Sequence, residues 1–413
     1  WHDLNYIWVS FFLIAFVVAL VKLIVFQDTE VFPQMLQSTF DMAKTGFEIS
    51  IALTGVMSLW LGLMKIGEKG GIVPILSKLV GPFFSRLFPE IPKNHPATGS
   101  IIMNFSANIL GLDNAATPLG LKAMKELQDI NPNKDTASNA QIMFLVLNAS
   151  GLTIIPLSVI ADRATMGALH PTSIFLPTLI ATFCSTVVGL TYVSIRQKIN
   201  LLDPVVILYL VGMTSFVGLG IWYFASLSPQ ALQVQSTLFT SVSILSIIIF
   251  FFVLGLIKKI HLFETFIEGA KEGFAISIKI IPFLIAILVG IGLFRTSGTL
   301  PYIKTGIQWM LSQAAINTDF VEALPVAFLK PLSGQAARGM MIDISKSTPG
   351  GPDSFVANLA AIFRGCAETT FFIVALYFGS VNIKKTRYAL TGGLIADVAG
   401  VIAGILVGYL FFH

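Results

Sequence analysis

Two groups of polar side chains stand inside otherwise apolar stretches, at spacings that could bind a charged solute. The first group is Asn104, Ser106, Asn108, Asp113 and Asn114, followed by Asn148, Ser150 and Thr153. The second is Ser333, Gln335, Arg338 and Asp343, followed by Arg364, Glu368 and Thr369. Amide and hydroxyl groups can donate and accept hydrogen bonds to a polar ligand. Arg338 and Arg364 suit a carboxylate or phosphate. Asp113, Asp343 and Glu368 suit an amine, a proton or Na⁺. Both signs together favour an anionic or zwitterionic solute over a neutral one. A purely structural role, satisfying broken backbone or locking a bundle, remains the alternative for each side chain. Arg364 and Glu368 are four residues apart, so on a continuous helix they would share a face and pair.

Composition says what must position these groups. The chain has 413 residues, of which 55% are hydrophobic and 12% charged, whereas soluble domains carry roughly 25% charged residues. Nine mostly apolar segments, near 6–26, 46–63, 142–160, 173–195, 205–224, 238–257, 276–294, 355–378 and 390–412, approach the ~20 residues a helix needs to cross a bilayer. The expected fold class is therefore all-α: a polytopic helical membrane protein of about nine spans. A net charge of +4 is small and lies mainly between spans, so no nucleic-acid partner is expected. The two cysteines lie in apolar segments and the five histidines are scattered, so neither a disulfide framework nor a metal site is expected. No phosphate loop or nucleophile elbow occurs. The apolar run after Trp1 lacks a small-x-small cleavage pattern and is taken as a retained first span.

Two segments break the simple span pattern. Residues 100–112 are apolar, then reach Asp113 or Asn114 as helix cap and Pro118 in the next first turn. Residues 324–329 are apolar, then reach Lys330, Pro331 and Ser333, and a Pro349–Pro352 turn closes the unit. Each reads as a re-entrant hairpin, which survives at membrane depth only inside protein or beside a water-filled cavity. A helix N-terminus there carries free N–H groups suited to an anion.

The chain also repeats itself. Ala43–Ile51 (AKTGFEISI) matches Ala270–Ile278 (AKEGFAISI), and the same offset aligns Gly71 with Gly298, Pro74 with Pro301, Ser106 with Ser333 and Asn108 with Gln335. Basic residues after the second, fourth and sixth spans and before the last mark the cytoplasmic side. This gives an N-terminus inside, with Arg163, Arg295 and Lys304 as misfits on the outside. The first copy then runs inward and the second outward. The expected organisation is an N-terminal helix (1–38), a first repeat (39–199), a two-helix linker (200–264) and an inverted second repeat (265–413).

Longer motifs carry a resemblance. Residues 104–126, with LGLDNAATPLGLKAM at 110–124, resemble the signature of spore maturation protein A. Lys330–Gly334 (KPLSG), Gly351–Phe355 (GPDSF), Glu368–Phe371 (ETTF), Tyr377–Val381 (YFGSV), Arg387–Leu390 (RYAL) and Gly393–Asp397 (GLIAD) resemble spore maturation protein B. The chain looks like a fusion of the two. In the first signature the family has Gly where this chain has Asp113, which adds a carboxylate at the turn. Both families belong to the nucleoside-recognition or Gate group, shared with concentrative nucleoside transporters and the membrane part of ferrous-iron transporters. The resemblance implies a hairpin-containing transport fold in a bacterial cytoplasmic membrane. It leaves the solute unnamed.

Inverted repeats are a recurrent plan of secondary transporters, with the solute at the repeat interface. The leading expectation is a non-enzymatic, alternating-access transporter. Its partners would be a small solute and the bilayer, with room for a homo-oligomer. It would need no cofactor, Na⁺ or H⁺ being the candidate coupling ions. The alternatives are a membrane scaffold or assembly factor and an intramembrane enzyme; the latter would need a nucleophile–base or metal constellation.

Overall fold

A computed structural model describes residues 2–111, 113–313 and 316–413. Its helices are α1 (His2–Val25), α2 (Val31–Gly70), α3 (Ile72–Arg86), α4 (Pro96–Ile109), α5 (Asp113–Ile130), α6 (Asn139–Ser150), α7 (Leu157–Thr165), α8 (Phe175–Gln197) and α9 (Pro204–Ala225). They continue as α10 (Pro229–Ile257), α11 (Leu262–Thr296), α12 (Thr299–Ser312), α13 (Leu324–Leu329), α14 (Gly334–Ser347), α15 (Phe355–Gly365), α16 (Thr370–Ser380) and α17 (Ala389–Phe412). Among the described residues the extended pairing is a single bridge, Thr136 to Lys385. The molecule is an all-α polytopic membrane protein.

Among the described residues seven stretches are long and apolar enough to cross a bilayer, and eight if the end of α11 and α12, bent by 64°, form one span. The expected span 142–160 is instead two short helices, α6 and α7. Gly151 ends α6 with φ +62°, and Pro156, which cannot donate a backbone hydrogen bond, stands just before α7. Outward faces of α9 and α10, with Leu208, Phe216, Leu219, Leu245 and Ile249 exposed, are what lipid contact requires.

The same order of elements occurs twice. A long helix ends in a sharp glycine kink, Gly71 (φ +89°) or Gly298 (φ +91°), and a short helix follows. Next come a hairpin (α4–α5 or α13–α14), a broken helix (α6–α7 or α15–α16) and a closing span (α8 or α17). The long helices α2 and α11 run antiparallel and touch where side chains vanish. A Cβ on Gly46 would lie 3.1 Å from Ile285 Cα, and one on Gly273 would lie 2.7 Å from Ser58 Cα. Those two contacts exchange under the sequence offset that relates Gly46 to Gly273. The repeated nine-residue string is thus a reciprocal helix-crossing motif, in which small residues let backbones approach.

The repeat register does not persist into the hairpins. Ser106 lies inside α4, whereas Ser333 caps α14 and accepts from Ala336 N at 3.1 Å. The 14-residue α4 has only the six-residue α13 as its counterpart, so the offset slips and Asn108 and Gln335 are not equivalent either.

The three basic residues that the expected topology leaves as misfits each have a carboxylate. Arg163 meets Asp353 at 3.4 Å, Arg295 meets Asp343 at 3.1 Å, and Lys304 meets Glu322. Pairing lowers the cost of holding a cation in or near the bilayer.

Candidate functional site

The hairpin tips meet the breaks of the broken helices. At the first tip, Ile154 N donates to Ile109 O at 2.7 Å; at the second, Phe371 N donates to Pro331 O at 3.0 Å. The two broken helices are joined to each other where Glu368 N donates to Ala149 O at 2.8 Å. Four interruptions of helical backbone therefore satisfy one another, as burial in a bilayer demands. The fit is close at Gly111 (φ +73°), where a Cβ would stand 2.7 Å from Ile155 O.

Two cavities flank this crossing. One, narrow and of about 20 Å³, is lined by Asn108, Asn148, Thr153, Thr186 and Glu368 with Phe84, Phe105 and Leu147. The other, of about 40 Å³, is lined by Gly111, Thr153, Ser158, Lys330, Arg364 and Glu368 among apolar residues. Thr153 and Glu368 belong to both, and Gly111 and Lys330 bring the two hairpin tips to the second.

Of the residues expected from the sequence, Asn108, Asn148, Thr153, Arg364 and Glu368 line these cavities. Asn108 Nδ2 donates to Asn148 Oδ1 at 2.7 Å, which ties the first hairpin to α6. The helical pairing of Arg364 with Glu368 is corrected: α15 stops at Gly365 and α16 begins at Thr370. Glu368 stands in the break, exposed to the cavities, and the two charges share a cavity wall rather than a helix face.

The other expected residues sit elsewhere. Asn104 is buried and donates to Ala116 O at 2.8 Å, bracing the first hairpin internally. Ser106 donates to Ile102 O and meets Ser77 Oγ at 2.9 Å. Ser150 meets Thr186 Oγ1 at 3.0 Å. Thr369 is buried just before α16, and Gln335 is half-buried in the first turn of α14. Arg338 is ion-paired with the fully buried Asp162 of α7, and Asp343 is held by Arg295. These two charges tie hairpin to helix and line neither of the two cavities. Asp113 and Asn114 open α5, but their side chains lie outside the described residues.

Lys330 was missed. It is 4% exposed at the second tip, lines the second cavity, and feels the charges of Arg364, Glu368 and Asp397. Asp397 was also missed; its Oδ2 accepts from Thr370 Oγ1 at 2.7 Å. The signal for Lys330 was in the sequence: an ionisable group ending an apolar run at membrane depth is a functional candidate by its cost alone. Among the described residues no group of three His, Cys, Asp or Glu side chains could hold a metal.

Comparison with known proteins agrees with this architecture. Residues 50–166 match the Gate family model, described as nucleoside recognition. Spore maturation protein A of Bacillus subtilis (strain 168) is 44% identical over 181 residues, which is 44% of this chain and 89% of that protein. Spore maturation protein B of the same organism is 42% identical over 158 residues, 38% of this chain and 86% of that protein. With most of each relative matched at this identity, the chain belongs to the spore maturation protein A and B family, joining both parts in one polypeptide.

Proposed function

We propose that the protein is a secondary transporter that moves a small anionic or zwitterionic solute across the cytoplasmic membrane by alternating access of two inverted repeats. The observation that carries this reading is the cavity lined by Lys330, Arg364 and Glu368 where both hairpin tips and both broken helices meet. Lys330 and Arg364 on that wall suit a solute bearing a carboxylate or phosphate, and Glu368 suits an amine on the same solute. Asp397 behind Lys330 and the exposed Glu368 are the groups suited to a coupling proton or Na⁺. The N-terminus lies inside in this reading. It is supported by the basic residues Lys65 and Lys69 at the end of α2, by Lys78 and Lys93 beyond it, and by the paired state of Arg163, Arg295 and Lys304. The family's nucleoside-recognition description places nucleoside-like solutes first in the panel to test.

The test is uptake into proteoliposomes across a metabolite panel, under imposed H⁺ and Na⁺ gradients. Wild type should show gradient-dependent flux of at least one charged solute. Lys330→Gln and Glu368→Gln should each lower it tenfold or more while leaving the protein folded. A scaffold role is the second reading. It is favoured by Asn104, Arg338 and Asp343, whose polar groups are engaged within the protein. Absence of flux for every solute, with Lys330→Gln and Glu368→Gln altering stability alone, would leave that second reading standing.

A further inference from the structure

Far from the crossing, α8 ends where α17 begins, and three side chains there form a site that the transport reading does not use. Arg196, one residue before the end of α8, lies with its Cζ 5.2 Å from the centroid of the Tyr388 ring. Arg387, on the turn leading into α17, lies 5.2 Å from the same centroid. Tyr192, one turn earlier in α8, meets that ring edge-on at 6.4 Å. With Thr391 these residues line a shallow, solvent-open recess of about 530 Å³.

Three observations set this apart from ordinary basic residues at the end of a span. Both guanidinium groups are exposed, and neither has a carboxylate partner among the described residues; Arg387 Nη1 donates only to Ala137 O, at 3.0 Å. The carboxylate reached through the neighbouring hydrogen bonds, Glu90, is already engaged by Asn139 Nδ2, and Asn139 in turn accepts from Tyr388 OH at 3.2 Å. The Tyr388 ring is thereby fixed by its hydroxyl. Lastly, Arg387 holds φ +53°, a left-handed conformation unfavourable for a residue with a side chain. The chain adopts it at the point that brings a second guanidinium to the ring.

Two planar forks held on one aromatic ring, with Arg387 Nη1 committed to Ala137 O, leave further N–H donors of the kind that grip a phosphate. The depth of the site selects the source. The spanning stretches 171–197 and 389–412 both end here, which puts the recess at headgroup level. Ile195, 69% exposed beside Arg196, offers apolar surface to an acyl chain. Basic pockets between helices on the cytoplasmic side suit anionic headgroups. We infer that Arg196 and Arg387, stacked on Tyr388, form a binding site for the phosphate of an anionic phospholipid.

The experiment uses the full chain purified in nonionic detergent. Phosphatidylglycerol, phosphatidylcholine or inorganic phosphate is titrated, with bound lipid counted by native mass spectrometry and unfolding followed thermally. Wild type should retain phosphatidylglycerol over phosphatidylcholine. R196Q/R387Q should weaken that retention at least tenfold, and R196K/R387K, which keeps charge but not the fork, should fall between. Lys93→Gln, which removes an exposed charge from the same side, should bind as wild type does. Equal retention of the two lipids by wild type would overturn the inference. So would an R196Q/R387Q variant that binds normally, or a Lys93→Gln loss as large as that of the arginine pair. Stabilisation by inorganic phosphate matching that by phosphatidylglycerol would overturn the lipid assignment. Both arginines are exposed, so the variants should fold; should R196Q/R387Q fail to, R196K/R387K and the wild-type lipid preference decide the matter.

Discussion

Replacing Arg338 by Met should be among the most damaging single substitutions in the second repeat. The guanidinium is 3% exposed and pairs with Asp162, which is fully buried. Asp162 Oδ2 and Arg338 Nε have no further hydrogen-bond partner, so each charge leans on the other. Arg338→Met fills similar volume but leaves the Asp162 carboxylate buried without its counter-charge. Breaking a buried pair from one side costs about 3–5 kcal/mol, because the remaining ion keeps its desolvation penalty. That is roughly two to four orders of magnitude in the unfolding equilibrium. Asp162→Leu should cost a similar amount. The double variant D162L/R338M removes both charges together and should recover most of the loss, since an apolar replacement of a whole buried pair is often neutral or better. The assay is a double-mutant cycle on reversible unfolding in mixed detergent and SDS. Single-variant losses under about 1 kcal/mol, or a double variant whose loss is the sum of the singles, would refute the reasoning.

Three further outcomes are expected. Gly111→Ala must hold φ +73° and place a Cβ 2.7 Å from Ile155 O; it should destabilise by about 1–2 kcal/mol, seen in the same unfolding assay, and should abolish any solute flux before it abolishes folding. In a chain lacking Cys184 and Cys366, cysteines placed at the exposed Ser85 and Ser312 should be labelled by an impermeant thiol reagent from opposite membrane faces, and labelling from one face would end the inverted arrangement. Asp135, in the loop after α5, is held below the usual aspartate value of 3.8 by the Thr136 hydroxyl and by Lys385, 3.4 Å away. A lowered folded value means its contribution is present above about 3.8 and lost as pH falls through the folded value. The protection factors of the Lys384 and Lys385 amides, which donate to Asp135 O, taken against the intrinsic exchange rate at each pH, should therefore stay constant from pH 7 to 5 and fall only below about 4; a transition between 5 and 7 contradicts this.

Much of the fold was legible because a bilayer imposes long apolar runs whatever their neighbours. The repeated string at 43–51 and 270–278 was legible for a sharper reason: Gly46 and Gly273 sit at reciprocal backbone contacts, where a Cβ would crowd the facing helix at Gly46 and collide with it at Gly273. The break at Gly151 was visible as a polar interruption, yet pattern alone cannot separate a broken span from one carrying polar side chains. Charges at depth were less legible. Their cost says that each has a partner or a cavity, but not which. Arg338 finds Asp162 across 176 residues and Arg295 finds Asp343 across 48; Asp162 drew no attention in the sequence, and both pairings depend on how α14 packs against α7 and α11. Lys330 was passed over although it ends an apolar run at the hairpin tip, because the run alone does not say that a cavity wall waits there.

The two hairpins share a backbone plan and differ in what anchors them. Ile154 to Ile109 and Phe371 to Pro331 are matched hydrogen bonds, so the main chain treats the tips alike. The first hairpin is then held by neutral groups: Asn108 on Asn148, Gln128 on Val381 O and on Gln141. The second is held by ions, Arg338 with Asp162, Asp343 with Arg295, and Arg163 with Asp353 and Pro352 O. A neutral hydrogen bond contributes about 0.5–1.5 kcal/mol net, and its groups can turn to water or to one another when parted. Separating a buried ion pair costs several kcal/mol unless each ion finds water at once. An exchange between two near-symmetric shapes would therefore begin at the first hairpin. In the alternating-access reading that hairpin lies on the cytoplasmic side, so the inward-open shape is the easier of the two to reach. The ion-paired second hairpin is the barrier that a solute's charge, entering beside Lys330 and Arg364, would have to offset.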